Sequence, residues 1–222
     1  AAQLRGISKS ADGGFYIGRS TAIEKISGSP QQLAYGAADT FNAPAAPCAT
    51  STIWMTQAIE LPGGKILYSH AAATPNNRIG LISSSGYNIA GDCLAVTAGP
   101  TTTALPTALG YYGSAEHTLV AYGSTTSSSN FIYSYNVNET ANTIGSATLA
   151  YFNPSFLNGP SAMAVDATNG YVYVANATLG AESIERFTYD TGTRQLTRVG
   201  SSPFIPLDVY VRCVSGMLVA SE

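Results

Sequence analysis

Asn169-Gly170-Tyr171-Val172-Tyr173-Val174-Ala175-Asn176 reads as a turn followed by a strand. Asn-Gly supplies the positive φ that a type I′ hairpin needs. The aromatic and β-branched residues after it suit a pleated, half-buried surface. A matching strand precedes it, Pro160-Ser161-Ala162-Met163-Ala164-Val165-Asp166. Residues 182–189 follow with polar and apolar residues alternating, the period of a strand buried on one face. A turn through Asp190-Thr191-Gly192 then leads into a looser piece, residues 195–199. The unit is four strands in sequence order.

That unit recurs. Its second strand reappears as Gly13-Gly14-Phe15-Tyr16-Ile17-Gly18, as Gly63-Gly64-Lys65-Ile66-Leu67-Tyr68-Ser69, as His117-Thr118-Leu119-Val120-Ala121-Tyr122-Gly123 and as Gly216-Met217-Leu218-Val219-Ala220-Ser221-Glu222. The central residues Phe15, Ile66, Leu119, Val172 and Leu218 are 51, 53, 53 and 46 residues apart. A period near 50 built from short strands predicts propeller blades. First strands fall at 4–8, 55–61, 107–112, 162–166 and 207–212. Third strands fall at 21–26, 78–82, 130–135 and 182–189, and fourth strands at 32–35, 93–97, 147–152 and 195–199. No long window keeps helical apolar spacing free of Gly, Pro or β-branched residues. The expected fold is all-β, one propeller over residues 1–222, with blades near 1–50, 51–103, 104–158 and 159–204 and a partial blade at 205–222.

The wording Ala164-Val165-Asp166-x-x-Asn169-Gly170-Tyr171-Val172-Tyr173-Val174-Ala175-Asn176, then Ile184-x-x-Phe187-x-Tyr189-Asp190-x-x-Thr193-x-Gln195-Leu196, resembles the lactonase-type (YVTN-like) β-propellers. That family includes bacterial 6-phosphogluconolactonase and the fungal carboxy-muconate cyclases. The resemblance covers about one blade well and the others thinly. It implies a ring of about seven blades, more than four repeats and a half supply. Either the ring is a smaller one of four or five blades, or strands are missing and another polypeptide completes it: the remainder of a cleaved precursor or a neighbouring copy. The second outcome is favoured, because Leu218-Val219-Ala220 ends mid-pattern. Bare strand edges invite pairing with another chain.

Only 10% of the 222 residues are charged, against about 25% in a typical soluble domain. Mean hydropathy is +0.10, yet no apolar run approaches a membrane span. Polar surface built from hydroxyl and amide groups suits a secreted or cell-surface protein. Net charge is −3 with no basic cluster, which excludes nucleic acid as a partner. The three cysteines are Cys48, Cys93 and Cys213. Cys48 and Cys93 precede the first strands of adjacent repeats, so they are the candidate disulfide, with buried thiols as the alternative. Asn138-Glu139-Thr140 and Asn176-Ala177-Thr178 are N-glycosylation sequons.

His70 and His117 are the two histidines. His70 ends a second strand, and His117 is placed in the turn before one. Neither has a partner at metal-ligand spacing, so no metal and no cofactor is expected. Arg19, His70, Ser124 and Asn176 hold one repeat position. Strand ends at one position converge on one face of a ring, which makes Arg19, His70 and Ser124 the candidate polar pocket. Asp12, Asp166 and Asp190 sit at turns, where capping backbone N–H groups is the ordinary role.

The cyclases that the chain resembles use an acid–base set of His, Glu and Arg. No such set aligns around His70 or His117, and no nucleophile elbow, P-loop or dinucleotide fingerprint occurs. The expected function is therefore a non-catalytic propeller in binding, adhesion or assembly. The alternatives are a lactonase or lactonising cyclase, and a sugar-binding lectin. Against the lectin, Trp54 is the only tryptophan, so a stacking platform in every blade would have to be tyrosine.

Overall fold

The computed structural model describes residues 4–19, 22–26, 40–41, 55–71, 77–83, 93–100, 104–123, 129–201, 203–206 and 217. They form four antiparallel sheets arranged as the blades of a β-propeller, with no helix among the described residues. Blade one is β1 (Leu4–Lys9), β2 (Phe15–Arg19), β3 (Ala22–Ile26) and β4 (Thr40–Phe41). Blade two is β5 (Met55–Glu60), β6 (Ile66–His70), β7 (Arg78–Ile82) and β8 (Cys93–Ala98). Blade three starts with β9 (Leu105–Tyr112), β10 (Ser114–Gly123) and β11 (Phe131–Tyr135). A small hairpin, β12 (Val137–Asn138) with β13 (Thr143–Ile144), stands before its fourth strand, β14 (Thr148–Tyr151). Blade four is β15 (Pro160–Asp166), β16 (Tyr171–Asn176), β17 (Ser183–Asp190) and β18 (Gln195–Arg198). In each blade the strands pair in sequence order from the axis outward.

The expected strands at 32–35 and 207–212 lie outside the described residues. Residues 205 and 206, read from the sequence as the start of a fifth unit, form β19 (Ile205–Pro206) and pair with Ile184 and Ser183 of β17. They belong to blade four. His117, expected in a turn, lies inside β10, because the β9–β10 hairpin runs on to a turn at Gly113.

The glycines that precede three second strands share one conformation. Gly13, Gly64 and Gly170 have φ of 89°, 84° and 81°, a region that L side chains rarely enter. Each stands two residues before Phe15, Ile66 or Val172. The Asn169-Gly170 turn differs from the type I′ expectation. Asp166 pairs with Tyr171, so the loop has four residues rather than two, and Gly170 alone is left-handed. Asp166 holds it by accepting from the backbone N of Asn169 at 3.1 Å and from its Nδ2 at 2.8 Å.

Alternation along each second strand sends its residues to both neighbouring blades. Ile66 and Tyr68 pack with Tyr16 and Ile23 of blade one. Leu67 packs with Val120 and Tyr122 of blade three, and Leu119 and Ala121 pack with Val172 and Val174 of blade four. The counterpart of Ile66 and Val172 is therefore Val120 and not Leu119. The longer β9–β10 hairpin shifts the count by one, and a one-residue slip exchanges faces. Each fully buried Leu, Ile or Val stabilises by about 1.5–3 kcal/mol.

Hydroxyl groups stitch the inner strands together. Ser8 donates from Oγ to the Ala58 carbonyl, Thr56 Oγ1 to that of Pro106 at 2.8 Å and Thr107 Oγ1 to that of Pro160 at 2.5 Å. Donors and acceptors lie 50 to 53 residues apart, one blade each. Part of the Ser and Thr content thus works between blades rather than at the surface.

Candidate functional site

The inner strands β1, β5, β9 and β15 enclose a cavity of about 530 Å³. Its walls are apolar: Ile7 and Phe15 from blade one, Ile59 from β5, Leu109 from β9, Met163 and Val165 from β15. Met217, the one described residue beyond 206, lines the same space. Period-two alternation explains the walls, since each inner strand must turn some side chains towards its neighbours and the axis.

Besides Ser8, whose hydroxyl is taken by the Ala58 carbonyl, four polar side chains line this cavity. Gln57 is 6% exposed, and its Oε1 accepts from the Leu109 backbone N at 2.6 Å, tying blade two to blade three. Glu60 ends β5. Its Oε2 accepts from Ser10 Oγ at 2.7 Å and from Ala11 N at 3.0 Å, so it holds the β1–β2 turn of the preceding blade. Lys9 ends β1 and is exposed. Tyr111 is half-buried; burial first, then the charges of Glu60 and Glu139, raise the pKa of its hydroxyl. Tyr111 is a neutral hydrogen-bond donor and acceptor at any ordinary pH.

The apolar walls offer contact area, and an amine, a carboxylate and a phenol can supply hydrogen bonds. Among the described residues no three His, Cys, Asp or Glu gather closely enough to hold a metal ion. Neither histidine lines the cavity.

His70 lies at the far end of β6, paired with Met55 and Arg78, and is 2% exposed. Arg19 pairs with Leu4 and Ala22 at the matching end of β2, and its side chain, like Ser124, lies outside the described residues. The cavity sits towards the opposite ends of the inner strands, near Lys9 and Glu60. His117 meets Tyr189 edge-on at 5.8 Å, with Nδ1 buried and without a hydrogen bond. Burial, then the Arg194 charge, lowers its pKa against the opposing pull of Glu116, so it is neutral at pH 7.

Asn176 is 1% exposed. Its Oδ1 accepts from Asn158 N at 3.0 Å, and its Nδ2 donates to the Phe156 carbonyl at 2.8 Å and to Ser183 Oγ at 2.9 Å. A carboxamide so enclosed leaves no room for a glycan in the folded chain. Asn138 is exposed at the β12–β13 turn, where its Oδ1 accepts from Ala141 N at 2.8 Å. Cys93 begins β8. Cys48 and Cys213 lie outside the described residues.

Sequence reasoning passed over Gln57, Glu60, Tyr111 and Glu139. Glu139 accepts from Gly63 N at 2.9 Å and Lys65 N at 3.2 Å, clamping the β5–β6 turn from the hairpin of blade three. The only signal was weak: single charged residues at strand ends in a charge-poor chain.

No family profile matches the sequence, and no curated protein matches it. Solved structures do. The periplasmic gluconolactonase of Pseudomonas aeruginosa matches with a TM-score of 0.59 at 12% identity, over 91% of this chain and 54% of that one. A provisionally named 6-phosphogluconolactonase of Bacteroides fragilis matches with a TM-score of 0.59 at 14% identity, over 89% of this chain and 54% of that one. The fold is the β-propeller. It is a fold shared across functions: the Swd1 β-propeller domain of Myceliophteria thermophila matches with a TM-score of 0.52 at 13% identity, over 86% of this chain and 58% of that one. The chain spans about half the length of these propellers.

Proposed function

We propose that this chain is a non-catalytic, secreted or cell-surface propeller that binds a small, largely apolar molecule in its axial cavity. The observation that carries the reading is the composition of that cavity. Its walls are Ile7, Phe15, Ile59, Leu109, Met163 and Val165, and its one carboxylate, Glu60, is engaged by Ser10 and Ala11. A ligand with an apolar body and one polar end fits this lining. Low charge supports the extracellular setting, and Cys48–Cys93 is the proposed disulfide. The length of the similar propellers supports completion of the ring by further polypeptide.

The test is an equilibrium titration with the fluorescent dye 1-anilinonaphthalene-8-sulfonate. The reading expects saturable binding at one site per chain, lost in Ile7→Trp, which fills the cavity, with an unchanged circular dichroism spectrum. Absence of binding, or binding indifferent to Ile7→Trp, overturns it.

A second reading is a lactone hydrolase. The names of two similar structures favour it, and Glu60 is the one carboxylate on the cavity that would serve as its base. A propeller lectin is the third, and selective retention on a glycan array would favour it.

A further inference from the structure

We propose that Gln57 is the hydrogen-bond donor that selects the ligand of the axial cavity, and that this ligand carries a neutral carbonyl oxygen on its apolar body: a ketone, an ester or an amide. This rests on the axial cavity being a binding site and names the polar end of what it binds.

A carboxamide has one acceptor oxygen and two N–H donors. In Gln57 the oxygen is committed, since Oε1 accepts from the Leu109 backbone N at 2.6 Å. That bond fixes which way the amide faces: turned over, Nε2 would meet another donor. The stem is fixed too. Gly6 of β1 packs on it so closely that an added Cβ would lie 2.8 Å from Gln57 Cβ and 2.9 Å from its Cγ. Blade one confines the stem and blade three holds the oxygen.

The nitrogen is left over. Gln57 is 6% exposed and lines the cavity, and among the described residues its Nε2 has no hydrogen-bond partner. Nε2 is not among the polar atoms sealed in the interior, so its donors are open to the cavity that the side chain lines. A buried donor is ordinarily satisfied, and a ligand oxygen supplies the acceptor that the protein does not.

The surroundings make that oxygen neutral. Ile59, Leu109 and Met163 share the lining and carry no charge. Glu60 ends β5 three residues past Gln57, about 10 Å along the strand. Ser8 and Ser10, on either side of Lys9, bond to Ala58 and Glu60, so the Lys9 backbone stands at the Glu60 end. A carboxylate held at Nε2 would lose its water with no countercharge beside it, whereas a carbonyl oxygen loses less and gains the bond.

Three naphthalene probes test this. Prodan carries a propionyl ketone, its propyl analogue has CH2 in place of the carbonyl, and 6-dimethylamino-2-naphthoate is the carboxylate. Each is titrated into the full chain and into Gln57→Met, with binding read by fluorescence. The ratio of prodan affinity to that of the propyl analogue should fall about tenfold in Gln57→Met. A Gln57 with a structural role alone would weaken both probes equally and leave the ratio unchanged, which overturns the proposal. The infrared carbonyl band of prodan bound to the full chain gives a readout that needs no variant. It should lie at the lower frequency of a hydrogen-bonded ketone; a band at the frequency seen in hexane overturns the proposal. Tighter binding of the carboxylate than of prodan overturns it as well. These outcomes leave the cavity a binding site, whereas failure of all three probes to bind removes that reading and this inference together.

Discussion

The Gln57 side-chain oxygen accepts a hydrogen bond from the backbone N of Leu109 across 2.6 Å, so one carboxamide does for blades two and three what a backbone ladder does within a blade. Both residues line the axial cavity, and both are buried. Stability and the candidate site therefore depend on the same contact.

Gln57→Leu keeps the volume and removes the acceptor. The Leu109 N–H is then buried without a partner, which costs about 1–3 kcal/mol. The midpoint of chemical unfolding should fall accordingly, with the slope unchanged. An unaltered midpoint would mean that water or another group takes over the bond.

Gly80 lies directly under the ring of Tyr68, its register partner, whose Cε1, Cζ and hydroxyl oxygen would each meet an added Cβ. Tyr68 is fully buried and has nowhere to retreat. Gly80→Ala should destabilise by about 1–3 kcal/mol through overpacking, despite the better strand propensity of alanine. A thermal melt reads the result.

Acid should weaken blade one through Asp12. The hydrogen bond from Lys25, at 2.6 Å, comes first in lowering its pKa; burial opposes it, and the bond from Gly14 N helps. A folded pKa below the unfolded one means that the unfolded chain binds more protons, so stability falls as pH falls. The contribution is complete above about pH 4 and fades below it. Urea midpoints taken at pH 6 and pH 3 should drop further in the unaltered chain than in Asp12→Asn. A residual drop remains in the variant, because hydrogen bonds lower Asp166 and Asp190 as well.

Expression in a glycosylating host should place a glycan on Asn138 and none on Asn176. Thr140→Ala should then remove the whole mass increment, while Thr178→Ala leaves it. Occupancy at Asn176 would contradict the enclosed carboxamide.

The blades were legible because their cause is local. Gly13, Gly64 and Gly170 mark turns that require positive φ, and Tyr171 to Ala175 alternate as a strand must. The count slipped at Leu119, where the β9–β10 hairpin is longer and no glycine stands two residues before Val120. The site was less legible. The repeat argument grouped Arg19, His70 and Ser124 by position, but equivalence in the repeat does not say which end of the inner strands opens into a cavity. Glu60 and Gln57 gave no motif, because their partners Ser10 and Leu109 lie about one blade away in sequence and meet them only through the ring.

Lactone hydrolysis tests the central claim, binding without catalysis, most directly. The unaltered chain and Glu60→Gln are incubated with simple γ- and δ-lactones, and acid release is followed with a pH indicator. The account predicts that both proteins match the buffer rate while the unaltered chain still binds the dye. Enzyme-dependent hydrolysis that disappears in Glu60→Gln would contradict it and make the axial cavity an active site.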